Sequence, residues 1–274
     1  MMNRYTWRTF LLELGMIAAA LLFTTPFVVL VGVALRNPDG QRGPLDLTWP
    51  PTFEHLATAW QTSAMGSALV NSAAITLVSV ALIVVVASTA AYPLARYAQR
   101  WSRGVFYFFL SGMLLAGQAA MLPLYTFIRD LGLVGSLWSV VLIHVGGSMP
   151  FCIFLYTFFI RESPRDYEEA AIIDGCSSSR VFVTVVFPLV RPITGTIVIL
   201  QALGTWNDFF TPLLYLSGSD NKTAPLTLYN YVGEYGADWS LVFSALLLSI
   251  FPILILYFVA QKYIIRGFAS GLKG

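Results

Sequence analysis

The chain has 274 residues, of which 57% are hydrophobic and only 11% charged; soluble globular domains run at roughly 45–50% and 25%. That is too little polar side chain to cover a soluble domain and too much apolar side chain for disorder, so both are excluded. The formal net charge of +2 is too small to indicate a nucleic-acid partner.

A membrane-spanning helix needs about 20 mostly apolar residues. In chain order, six stretches qualify, at roughly 14–35, 73–92, 105–128, 137–160, 193–216 and 241–263. Unpaired backbone groups are not tolerated in lipid, so each is read as a helix, with Pro26, Pro123, Pro150, Pro212 and Pro252 as kinks. The fold class expected is all-α and integral to the membrane. Arg4 and Arg8 give the first span a signal-like start, but its 22-residue apolar run exceeds the ~7–15 of a cleaved signal core; it is read as retained.

Placing the N-terminus in the cytoplasm puts twelve of the sixteen Lys and Arg on that side. The outer segments then hold only Arg36, Arg42, Arg129 and Lys222. This threefold bias is a positive-inside signal, and both termini are expected in the cytoplasm. Trp49, Trp60, Trp101, Trp138 and Trp239 fall near span ends and read as an interfacial aromatic belt. No soluble domain is expected at either end. Cys152 and Cys176 make no disulfide framework, and His55 and His144 are too few for a zinc site.

The cytoplasmic loop at 161–192 is unusually long for so small a membrane protein. Ser163-Pro164-Arg165-Asp166 reads as a helix start, with Ser163 as cap and Asp166 completing a capping box. Tyr167, Ala170 and Ala171 are expected on one face of that helix. Asp174-Gly175 ends it, and a second helix starts after Ser177 and is bent by Pro188 and Pro192. Two short helices joined at Gly175 suit docking into a groove of another protein, or lying on the bilayer surface. Asp166, Glu168 and Glu169 disfavour the anionic bilayer.

Glu169-Ala170-Ala171, Gly175 four residues later and Pro188 thirteen beyond it resemble the EAA loop of ABC importer permeases. Phe187 stands where that pattern has Leu before the Pro. Trp206-Asn207-Asp208-Phe209-Phe210 with Pro212-Leu213, the outer segments Pro225-Leu226-Thr227 and 235–239, and the tail from Gln261 to Gly274 resemble the carbohydrate-importing, MalG-type branch. The similarity covers about residues 65–274 and one preceding helix.

The resemblance implies a type I importer permease fold of six transmembrane helices. It implies a first helix and outer segment (1–64), a permease core (65–266) and a cytoplasmic tail (267–274). Tyr167, Glu168, Glu169, Ala170, Ala171, Asp174, Gly175 and Pro188 would then couple the chain to ABC ATPase subunits. ATP and magnesium would be bound there and not by this chain, which would be no enzyme. The other partners implied are a homologous MalF-type permease subunit, an extracytoplasmic solute-binding protein and membrane lipid. The site implied is the bacterial inner membrane, and the cargo a sugar or sugar-like solute.

Several residues keep two readings. Asn207 and Asp208 either line the translocation path or pair across the subunit interface, or Asp208 makes a helix-packing hydrogen bond. Gln118 and His144 read as interhelical hydrogen-bonding groups. Tyr235 and Trp239 are candidates for contact with the binding protein, or are plain loop. The segment from Gly267 to Lys273 lacks the spacing of a phosphate loop, and Asn221-Lys222-Thr223 reads as an accidental sequon. An ion-coupled secondary transporter is the alternative; it predicts inverted repeats and paired midplane acids, which the sequence lacks.

Overall fold

The computed structural model describes residues 6–37, 48–97, 99–114, 117–233 and 236–271. Apart from a pair of two-residue strands, every regular element in it is helical. The chain divides into two units, one of residues 1–66 with 227–251, the other of residues 67–226 with 252–274.

The first unit begins with α1, Trp7–Ala34. The Thr6 backbone N–H donates to Thr9 Oγ1 at 2.8 Å at its start. Along the helix Leu12, Leu21, Leu22, Phe23 and Phe27 are all exposed. A helix apolar all round and uncovered by its own chain is one whose solvent is hydrocarbon. Thr24 and Thr25 lie within it, and each hydroxyl donates back to a carbonyl four residues earlier, Ala20 and Leu21. No polar atom of these two is left for lipid to solvate. After α2, Glu54–Thr62, the unit resumes with a 3-10 turn, Leu228–Tyr231, and a hairpin of β1 (Val232–Gly233) and β2 (Gly236–Ala237). Val232 pairs with Ala237 and Gly233 with Gly236. Tyr231 closes this end onto α2, its hydroxyl lying 2.7 Å from Thr62 Oγ1 and 3.2 Å from the Ala59 carbonyl. The last long helix, α13, runs Trp239–Gly271. Its first turns cap α1, since Ser244 donates to the Ala34 carbonyl at 3.1 Å and buried Arg36 donates to Ser240 at 2.8 Å.

The second unit carries α3 (Met65–Arg96, entering the unit at residue 67), α4 (Arg100–Gly112), α5 (Gly117–Asp130) and α6 (Leu137–Glu162). After these come α7 (Asp166–Ile173), α8 (Ser178–Val181), a five-residue π stretch (Phe182–Val186) and α9 (Phe187–Leu189). The series ends with α10 (Arg191–Asn207), α11 (Phe210–Leu216) and α12 (Ala224–Thr227). Helix α6 is the hub, packed on α4, α10 and α11. Ala87 and Ala91 of α3 share a core with Cys152, Ile153 and Tyr156 of α6 and Val181 and Val186 of the loop. Small side chains four residues apart let helices approach closely in lipid, where packing replaces the hydrophobic drive.

Polar pairs join α6 to α10. Tyr156 donates to Thr194 at 3.0 Å and Ser148 to Gln201 at 2.7 Å. Both cysteines are free.

Three sequence expectations need correction. The stretch 105–128 is not one helix, because α4 stops at Gly112 and α5 starts at Gly117. The stretch 193–216 is divided at Asp208, between α10 and α11. Ser163 caps no helix start. It ends α6, donating its hydroxyl to the Phe159 carbonyl at 2.9 Å, and α7 begins only at Asp166 with Arg165 before it. The bend expected at Pro188 and Pro192 is present, at 74° between 178–189 and 191–207.

A Cβ placed on Gly112 would lie 3.1 Å from Pro150 Cγ, so α4 and α6 approach closely there and any side chain must displace the Pro150 ring. Gly112→Ile is expected to cost about 1–3 kcal/mol, read as a lowered unfolding midpoint of the detergent-purified protein. Gly104→Ala, with nothing within 4 Å of the new Cβ, serves as the neutral control.

Candidate coupling site

The loop between α6 and α10 holds most of the residues singled out from the sequence, and their backbone geometry follows from local chemistry. α7 is only 8 residues long, too short to persist alone. Its three acids, Asp166, Glu168 and Glu169, lie in the first turn, where they complement the helix dipole. Its end is a Schellman motif. The Gly175 N–H bonds to the Ile172 carbonyl and the Cys176 N–H to the Ala171 carbonyl, each at 3.0 Å. Gly175 has φ of +83°, a conformation that glycine takes at little cost.

What fixes α7 to the membrane domain is Glu168. It is 5% exposed. Arg96, in the last turn of α3, donates to Glu168 Oε1 from Nη2 at 2.6 Å and from Nε at 2.9 Å. The Tyr92 hydroxyl donates to Oε2 at 3.2 Å. The second hydrogen of Arg96 Nη2 goes to the Ser163 carbonyl at 3.1 Å, at the point where α6 hands over to α7. A neighbouring guanidinium, Arg161, caps α3 through the Leu94 carbonyl at 3.1 Å. α7 is therefore held by a buried, multiply hydrogen-bonded ion pair that joins three helices, a geometry in which the charges are compensated.

Successive side chains on α7 then divide. Tyr167, Ala170 and Ala171 fall within one face of α7 as expected, with Ala171 at its inner edge, partly buried against the core with Cys176 and Phe182. Tyr167, Glu169, Ala170 and Asp174 face solvent, as does Gly175. So do Ile172 at 56% and Ile173 at 85% exposure. Pro188 is half-buried beyond the π stretch. Sequence reasoning counted Arg96 only as a topogenic charge and did not single out Tyr92; no local pattern marks either as a partner of residue 168.

Asp208 occupies the break between α10 and α11. Its Oδ1 accepts from the Phe210 N–H at 2.9 Å and the Thr211 N–H at 3.3 Å, covering donors that the interrupted helix exposes. Its Oδ2 lies 3.2 Å from His144 Nε2 on α6. Asn207 is exposed and donates to the Leu203 carbonyl of its own helix at 2.9 Å. Trp239 is exposed and stacks edge-on against Phe243. Tyr235 and the side chain of Gln118 lie outside the described residues.

Residues 83–270 match the family described as binding-protein-dependent transport system inner membrane component. The melibiose/raffinose/stachyose import permease protein MelC of Bacillus subtilis is 33% identical over 251 residues, 91% of this chain and 91% of that one. The multiple sugar-binding transport system permease protein MsmG of Streptococcus mutans is 34% identical over 205 residues, 73% of this chain and 74% of that one. In fold, the chain matches one from a bacterial ABC transporter involved in import of the acidic polysaccharide alginate. The TM-score is 0.81 at 21% identity, over 95% of this chain and 99% of that one.

If the Arg96–Glu168 pair anchors α7, Glu168→Gln leaves Arg96 buried without its counter-charge, a loss of order 3–5 kcal/mol for such pairs. The expected outcome is faster amide hydrogen exchange across 166–174 with exchange in α6 unchanged, measured by mass spectrometry.

Proposed function

The chain belongs to the family of binding-protein-dependent transport system inner membrane components, and we propose that its α7 face is the surface through which partner ATPases drive it. It is a permease subunit of a binding-protein-dependent sugar importer. The observation that carries the coupling reading is Ile173, 85% exposed on a helix that Glu168 locks to α3. A large aliphatic side chain left open on a rigid, acid-flanked helix is a docking feature and a poor solvated surface. Tyr167, Glu169, Ala170, Ile172 and Asp174 frame it. Gly175 and Pro188 set the angles at which the loop returns to α10.

In this reading the partner subunits bind ATP and magnesium and this chain carries no enzymatic activity. Rigid-body motion of the ATPases is passed through α7 and the Arg96–Glu168 pair to α3 and α6. A MalF-type permease completes the pathway, and an external solute-binding protein meets Trp239 and Tyr235. Both termini face the cytoplasm, in keeping with the distribution of Lys and Arg. Asn207 and Asp208 border the path, with Asp208 held by His144. One relative is named as a melibiose/raffinose/stachyose import permease, and the cargo in this reading is an oligosaccharide or a sugar of similar polarity. An ion-coupled mechanism has no observation in its favour.

Ile173→Asp tests the docking face. The side chain contacts no core residue, so insertion and stability should be unchanged. Copurification of the ATPase and sugar uptake should both fall at least about tenfold, the scale of one buried interface anchor. Retained ATPase and uptake would remove the face from the mechanism. Gly175→Pro is expected to abolish uptake with insertion intact, because proline cannot adopt a φ of +83°.

A further inference from the structure

A second site lies beside the coupling loop and shares with it only Arg161, in the last turn of α6. At the junction of α3, α4 and α6 a cavity of about 290 Å³ opens between Tyr97, Arg103, Phe106, Tyr107 and Arg161. Its chemistry is one-sided. Two guanidiniums and two phenols line it, and none of the lining residues is acidic. The nearest buried carboxylate, Glu168, is already committed to Arg96 and Tyr92.

Arg161 is held for the purpose of orientation from two directions. Its guanidinium carbon lies 4.7 Å from the Phe106 ring centroid, and one Nη2 hydrogen goes to the Leu94 carbonyl. The remaining donors of that fork are left for the cavity. Arg103 is exposed, and among the described residues it is in no ion pair. Of the lining, Tyr97 and Tyr107 are exposed at 49% and 63%, and Leu94, Ala95 and Phe106 make the cavity wall apolar; Trp101 and Phe108, on the other face of α4, are exposed as well. An amphipathic turn that shows arginines and aromatics together is the composition of the headgroup region.

We propose that this cavity binds the headgroup phosphate of an anionic phospholipid of the inner leaflet. Arg103 and Arg161 take the phosphate oxygens, the tyrosine hydroxyls assist, and the acyl chains leave past the exposed rings of Tyr97 and Tyr107. The ligand class follows from the donor set: guanidinium forks match phosphate geometry, and basic pockets between helices at the cytoplasmic surface are where anionic headgroups settle. The lipid is favoured over a soluble phosphate by the apolar part of the lining, Leu94, Ala95, Phe106 and the rings of Tyr97 and Tyr107, which a free anion could not use. Its position against Leu94 and Arg161 puts it next to the turn that Arg96 bolts to α7, so a bound lipid would brace the coupling loop from the bilayer side. The assignment to the inner leaflet rests on the orientation proposed above.

The test uses the complete transporter, purified with its partner subunits in mild detergent. Native mass spectrometry follows binding of phosphatidylglycerol, phosphatidylcholine or inorganic phosphate to the wild type and Arg103→Ala. Arg103 is solvent-facing, so the variant should assemble normally, and an unchanged unfolding midpoint without lipid verifies this. Arg161 is left intact because it caps α3. Expected are a phosphatidylglycerol site that phosphatidylcholine does not fill, about fivefold weaker in Arg103→Ala, and insensitivity to millimolar phosphate. Equal phosphatidylglycerol binding by both proteins, or displacement of the lipid by inorganic phosphate alone, overturns the proposal. Thiol labelling of Arg103→Cys in intact cells and in inverted vesicles reads the orientation separately. A lipid site lost in Arg103→Ala, with residue 103 labelled from outside, keeps the pocket and overturns only the orientation.

Discussion

One buried ion pair organises the functional end of this molecule. Arg96 closes α3, the hand-over from α6 to α7 and the first turn of α7 onto a single carboxylate. Without Glu168 the short α7 would have neither the length nor the apolar area to hold its place. With it, the helix becomes a rigid extension of two membrane spans. A displacement applied to α7 is then carried into α3 and α6 instead of being absorbed by a flexible loop. The arrangement also explains why the acids of α7 are not equivalent. Glu168 is spent inward on anchoring, while Glu169, one residue on, stays in solvent beside Ile172 and Ile173.

The requirement that lipid imposes on polar atoms explains much of the remaining architecture. Where a span is continuous, hydroxyls bond back to their own helix, as Thr24 and Thr25 do. Where it is interrupted, a side chain takes over. The gap between α10 and α11 is covered by Asp208, whose Oδ1 takes the N–H groups at the α11 start and whose Oδ2 lies 3.2 Å from His144 Nε2. Tyr156–Thr194 and Ser148–Gln201 add two polar links between α6 and α10. Such links specify which helix neighbours which, because apolar packing alone discriminates poorly between apolar partners.

The face that α7 presents and the cavity beside it are complementary in character. One is acidic at its edges with exposed isoleucine at its centre, suited to a protein. The other is basic with an aromatic rim, suited to the bilayer surface.

The amino-acid sequence by itself determined the class of molecule, the six apolar stretches and the helix–glycine–helix form of the loop. These are local properties: an apolar run of spanning length can be solvated only by lipid, and Gly175 alone in its segment tolerates a left-handed turn. The resemblance of Glu169-Ala170-Ala171 and Gly175 to importer permeases likewise needed no contacts. Only the tertiary structure decided that Glu168 turns inward to Arg96, 72 residues away in the chain, that Ala171 is partly buried while Tyr167 stays exposed, and that Asp208 lies beside His144. It also placed the breaks in the third and fifth spans. Hydropathy records how apolar a segment is and cannot register where its backbone bonds lapse, since at the fifth span it is the backbone conformation that lets Asp208 take the N–H groups of residues 210 and 211 in place of a helical carbonyl.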